Sequence, residues 1–182
     1  MGDESQWSRV KSEIYSILGR NPRSNKRIVS VADLDPSHSV LDIGCGPGAA
    51  VRAAAPLVVK AVGVDRSEAM IEIARRRSRG LDNVEFAVGP AEELPFPDGS
   101  FARIWTIHAY HHWEDRDRGV LECLRVLGAG GKLLIVETET KGSHGLSRDA
   151  AEGVAAELLT AGFVRSFVSK SHKQLIVTGV AG

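Results

Sequence analysis

Val40-Leu41-Asp42-Ile43-Gly44-Cys45-Gly46-Pro47-Gly48 is a short apolar run that ends in three glycines at alternating positions. Without a Cβ, glycine lets a backbone turn sharply and approach a ligand closely. Ala49-Ala50-Val51-Arg52-Ala53-Ala54-Ala55 follows and is rich in helix formers, so the loop leads into a helix N-terminus with its unsatisfied N–H groups. Seventeen residues beyond Gly48 a second apolar run, Ala61-Val62-Gly63-Val64, ends on Asp65. Strand, glycine loop, helix, strand and acidic residue follow one another as in a nucleotide-binding α/β half, where the acid meets a ribose hydroxyl pair.

Outward from this stretch the chain alternates. Glu68 to Arg79 reads as a helix capped by Ser67, with arginines in its last turn and Gly80 beyond it. Val84 to Val88, Phe101 to Ile107 and Lys132 to Glu137 read as strands. Between the last two, a helix from about Asp115 to Leu127 is followed by a loop, Gly128-Ala129-Gly130-Gly131. A helix over Ser147 to Ala161 precedes two strands, Phe163 to Ser169 and Gln174 to Gly179, close enough to form a hairpin. Upstream, Trp7, Val10, Ile14, Ile17 and Leu18 fall at helical spacing, and a second helix spans about Ser24 to Leu34. The expected fold is α/β, a doubly wound and mostly parallel sheet with helices on both faces. The chain is expected to be one domain: 1–35 as helical cover or lid, 39–137 as the binding core, 147–182 as helix plus hairpin.

Composition narrows the setting. Hydrophobic residues at 43% and charged residues at 25% are ordinary for a globular domain. Lys and Arg total 23 and so do Asp and Glu, which gives no push towards nucleic acid or an anionic membrane. No run approaches the length of a membrane span. Two cysteines make no disulfide framework, so a reducing cytoplasm is the default. A homodimer stays open.

Four further stretches stand in order with the glycine loop: VGVDRSEAM (62–70), GPAEELPFPDGSF (89–101), HHW (111–113) and LRVLGAGGKLLIVE (124–137). Together with VLDIGCGPG they resemble the class I S-adenosylmethionine (SAM)-dependent methyltransferases. The resemblance implies a seven-stranded sheet whose last strand is antiparallel. It also implies SAM as cofactor, S-adenosylhomocysteine as its product, and a small-molecule acceptor. Asp42, Gly44, Cys45, Gly46 and Gly48 would face the amino acid moiety, Asp65 the ribose, and Ala91 and Glu92 the adenine side, with Arg66 also at the cofactor. Thr106 and Ile107 would line the cofactor mainly through backbone. The chain departs from the family at Pro90 and Ala102, where aspartates are common.

Other readings stand beside these. Asp65 could instead be a turn residue that caps the next helix. The glycines alone also satisfy a dinucleotide fingerprint, which leaves a nicotinamide-dependent oxidoreductase as a rival, though no tyrosine–lysine pair marks a hydride site. A non-catalytic cofactor-binding subunit that needs a partner is another. His111, within His108-Ala109-Tyr110-His111-His112-Trp113, is a candidate general base, because histidine titrates in the useful range. Alternatively His111 and His112 belong to the loop and cap of the following helix. No carboxylate or cysteine set completes a metal site. Asp/Asn-Pro-Pro-aromatic, the mark of methyltransferases acting on base amines, does not occur after the fourth strand. With only about Thr138 to Ser147 after the fifth strand, the N-terminal helix with Trp7 and Tyr15 is the remaining candidate lid.

Overall fold

The computed structural model describes residues 28–140 and 145–182; the expected helix with Trp7 and Tyr15 lies outside them. Seven strands form one sheet in the order β3-β2-β1-β4-β5-β7-β6. They are β1 (Ser39–Ile43), β2 (Lys60–Asp65), β3 (Val84–Val88), β4 (Phe101–Ile107), β5 (Leu127–Thr138), β6 (Arg165–Ser171) and β7 (Gln174–Val180). The first five run parallel, and β7 lies antiparallel between β5 and β6. Among the described residues, the α-helices that follow β1 are α1 (Ala49–Ala54), α2 (Glu68–Arg77), α3 (Arg116–Val126) and α4 (Arg148–Ala161). The expected sheet is the one observed. Among the described residues, no helix is long and apolar enough to cross a membrane.

Alternation along the strands builds a core on each face. Leu41, Ile43, Val62, Val64, Ile104 and Leu133 pack with Val120, Cys123 and Val126 of α3 and Val154 and Leu158 of α4. Val40, Ala61, Trp105, Ile107, Leu134 and Ile176 point the other way, against Ala50, Val51 and Ala54 of α1 and Ile71 of α2. Strands covered on both faces read as near-continuous apolar runs, which is why these were legible. Strand order reverses between β1 and β4, and ligands in such sheets bind beyond the carboxyl ends at that point.

Three elements differ from expectation. Residues 28–31 are helical and the chain then turns, three residues short of Leu34. Asp33 adopts a positive φ of 51°, and the buried Arg103 of β4 donates from Nε to the Ala32 carbonyl at 2.9 Å. Gly128–Gly131 is not a loop: β5 begins at Leu127, which pairs with Phe101, and the register shifts between Phe101 and Arg103. Glycines supply that irregularity, since a Cβ on Gly131 would stand 2.7 Å from the Gly128 carbonyl. β6 starts two residues later than Phe163, which is buried beside Leu158 instead.

The segment between β3 and β4 forms one wall of the candidate site, and Arg125 of α3 fastens it. Its guanidinium donates to the carbonyls of Leu94 at 3.0 Å and Phe96 at 2.8 Å, and it pairs with Asp98 and Glu122, each at 2.7 Å. Glu122 in turn accepts from the Leu94 amide at 2.8 Å. Arg125→Met removes its three anchors to that segment, at Leu94, Phe96 and Asp98, and is expected to cost about 2 kcal/mol, the scale of a hydrogen bond to a charged group. For a chain of this length that lowers the melting temperature by about 4–8 °C, measurable by thermal denaturation. A shift below one degree would show that the wall is held by packing alone.

Candidate active site

β1 and β2 lie side by side with Ile43 opposite Val64, so the glycine loop leaves β1 directly over the end of β2. That strand end takes up the loop's amides in succession. The Val64 carbonyl accepts from Gly44 at 2.8 Å and from Cys45 at 3.0 Å. Asp65 accepts from the Gly46 amide through Oδ2 at 2.8 Å and from the Ser67 amide through Oδ1 at 2.9 Å. Asp65 therefore joins the glycine loop to the start of α2, where Ser67 caps through a bond from the Met70 amide. Asp65 is thus a turn carboxylate, and it also lines the pocket.

The loop needs its glycines for different reasons. Gly44, Gly46 and Gly48 have φ of 70°, 52° and 75°, the left-handed region that strains other residues. A Cβ on Gly44 would also stand 2.5 Å from the Ala109 Cβ, and one on Gly48 would meet the Phe86 ring at 2.8 Å. Cys45 is buried and packs where Gly63 leaves room: a Cβ there would meet its sulfur at 2.8 Å.

Beside this loop lies a pocket of about 420 Å³, lined by Gly44, Gly46, Asp65, Arg66, Ala91 and Glu92 among the expected residues. The volume is within the range of small-molecule sites. Pro47, Ser67, Met70, Pro90, His112, Trp113 and Glu114 complete much of the lining; of these, Ser67, Met70 and Glu114 had no expected place at the site. Met70, Pro90, Ala91 and Trp113 give this lining apolar surface, and Asp65, Glu92 and Glu114 are its acids. Asp42, Cys45, Gly48, Thr106 and Ile107, expected at the cofactor, are buried and do not line the pocket. Glu92 lines the pocket, while its Oε1 accepts from the amides of Glu114 at 2.8 Å and Asp115 at 3.1 Å, at the start of α3. Across the mouth, Arg66 pairs with Glu114 at 2.5 Å.

His111 lies off the pocket lining, in a 3-10 turn, Tyr110–His112. Its Nδ1 stands 3.0 and 3.2 Å from the two oxygens of Glu137, near the end of β5. Glu137 is fully buried, and His108 Nδ1 approaches it at 3.7 Å. Burial pushes the Glu137 carboxyl up, and the two histidines together pull it below its ordinary value. The sequence offered one sign of this: a carboxylate closing the apolar run Leu133–Val136. Among the described residues no group of three or more His, Cys, Asp or Glu is arranged to hold a metal ion.

Residues 41–135 match a family described as a methyltransferase domain. An uncharacterized methyltransferase, YcgJ of Bacillus subtilis (strain 168), is 40% identical over 112 residues, 60% of this chain and 44% of that protein. The 27-O-demethylrifamycin SV methyltransferase of Amycolatopsis mediterranei (strain S699) is 36% identical over 117 residues, 62% of this chain and 43% of the relative. The chain thus spans less than half the length of these relatives. A SAM dependent methyltransferase from Aquifex aeolicus shares the fold, with a TM-score of 0.80 at 20% identity over 94% of this chain and 98% of that one.

Asp65→Ala removes the acceptor of two backbone amides. Without any ligand it is expected to destabilise the protein by about 1–3 kcal/mol, the cost of leaving such donors unpaired. Thermal denaturation of the ligand-free protein checks this, and an unchanged midpoint would mean that the loop holds its shape without the carboxylate.

Proposed function

The chain belongs to the methyltransferase-domain family, and on that premise we propose that it transfers a methyl group from SAM to a small-molecule acceptor. The observation that carries this reading is the pocket beside the glycine turn, lined by Asp65 at the end of β2 and by apolar side chains that include Met70, Pro90 and Trp113. These residues fit the cofactor by their chemistry. Each carboxylate oxygen of Asp65 has further acceptor capacity after taking one amide, enough for a ribose diol. Met70, Pro90, Ala91 and Trp113 suit an adenine face, and Pro90 takes no part as a hydrogen-bond donor. Gly44, Gly46 and Gly48, with the buried Asp42 and Cys45, would shape the place of the amino acid moiety. Thr106 and Ile107 would support it from β4.

When bound, SAM supplies a methyl group on a sulfonium. The protein's part is alignment of donor and acceptor, since in-line displacement rewards orientation above all. Residues 39–137 would hold the cofactor, and 147–182 complete the sheet beside it. His111 would take the proton of an acceptor that must lose one, with Glu137 holding its ring. The relative from Amycolatopsis is named for a small-molecule substrate, which supports that acceptor class here. We place the activity in the cytoplasm.

Incubation of the full chain with methyl-labelled SAM and metabolite pools, scored by a methyl-sized mass shift, tests the reading. Label in a small molecule is the expected result; no transfer from a chain that binds SAM would favour a cofactor-binding subunit that needs a partner. His111→Ala is expected to lower turnover about 10²-fold or more, with SAM affinity nearly unchanged, as for a lost general base. A loss under about threefold would remove His111 from the chemistry.

A further inference from the structure

The two edges of the sheet are finished differently. At β3 the Asn83 carbonyl and the Gly89 amide bond inward to β2, so by alternation the Phe86 carbonyl points outward. Arg75 of α2 donates to that carbonyl at 2.8 Å and blunts the edge against a further strand. At the other edge, β6 pairs with β7 alone among the described residues. The two-residue turn His172-Lys173 sets Ser171 opposite Gln174 as a hydrogen-bonded pair. Counting back, Arg165, Phe167 and Ser169 also face β7, while Ser166, Val168 and Lys170 offer their N–H and C=O groups outward. Phe167, at the middle of this edge, is 44% exposed. Val168 packs on the α3 and α4 side of the sheet, so Phe167 lies on the other face.

We propose that the β6 edge is a homodimer interface, on which a second copy of this chain pairs β6 with β6, antiparallel, about a two-fold axis through Val168. The register is self-complementary, as such an axis requires. Val168 stands opposite Val168 of the second copy and Ser166 opposite Lys170 of the second copy, each pair exchanging N–H···O=C bonds from the groups left outward. Arg165 falls opposite Ser171, so neither cation of the strand meets a like charge, and Lys170 is already paired with Glu139. Phe167 and its counterpart become diagonal neighbours on one face, at a separation that aromatic side chains span. On the other face α4 lies over β6 and β7. Strands stand about 4.8 Å apart, which places the two α4 helices about 10 Å from each other, the spacing of a packed pair. Leu159, 50% exposed, is on the flank of α4 turned towards that junction. Glu157, two positions earlier and so on the opposite flank, lies beside α3, where its charge acts on Tyr110. The pairing leaves the pocket free, because β6 is the edge far from β1, β2 and β3. The interface is independent of the methyl-transfer reading.

Sedimentation equilibrium of the full chain over a concentration series is expected to show exchange between monomer and dimer. Hydrogen exchange read by NMR locates the contact: the Val168 and Lys170 amides should gain protection as concentration rises, while the Phe167 and Ser169 amides, bonded to β7, are protected throughout. Val168→Pro removes an outward donor that the monomer does not use, at a place where an edge strand tolerates proline. It is expected to raise the dissociation constant at least about 10-fold, with the circular dichroism of the dilute chain unchanged. Phe167→Asp leaves the backbone donors in place and should weaken the dimer to a similar extent; it decides the matter alone if Val168→Pro fails to fold. A single-chain mass at every concentration would overturn the proposal. So would a dimer that the folded variants leave intact, or one whose formation leaves the Val168 amide unprotected.

Discussion

The Asp65 carboxylate is the joint on which the candidate site depends. It stands at the end of β2 and takes the amide of Gly46 from one loop and of Ser67 from another. With the Val64 carbonyl alongside, the end of one strand fixes the Gly44, Cys45 and Gly46 amides. A turn of three left-handed glycines carries a large entropic cost, because glycine loses more freedom on folding than any other residue. Hydrogen bonds from a charged acceptor offset part of it. The group proposed to meet the ribose is therefore also the group that shapes the loop, so binding and local stability cannot be tuned separately at this position.

A second carboxylate organises the neighbouring strand ends in a different way. Asp65 is part-exposed and holds backbone, whereas Glu137 is buried and holds side chains. The two sit on the same carboxyl edge of the sheet, on either side of the strands where the order reverses. Asp65 keeps the capacity to accept from a ligand, while Glu137 is arranged to stabilise positive charge on a histidine. Ligand binding and proton removal would thus be divided between two acids with unlike surroundings.

The sequence disclosed most where the signal is local. The run Val40 to Gly48, the helix cap at Ser67 and the apolar strands depend on residues within a few positions, and the structure places them as expected. It disclosed less where partners lie far apart. Gln174 reaches His108 across 66 positions and Glu137 reaches His111 across 26, and neither pairing leaves a mark in periodicity. Glu92 was legible as a pocket residue, but its capping of α3 shows only once α3 packs beside it. Gly128 to Gly131 reads as a loop by composition, and tertiary pairing with Phe101 draws it into β5. His112 and Trp113 line the pocket because the 3-10 turn rotates them towards it and turns His111 to Glu137.

Calorimetric titration of the full chain with SAM, S-adenosylhomocysteine and NAD tests the central claim most directly. Saturable binding of both sulfur ligands, with NAD far weaker, is the expected result. NAD binding more tightly than either would assign the glycine loop and Asp65 to a dinucleotide and contradict the account.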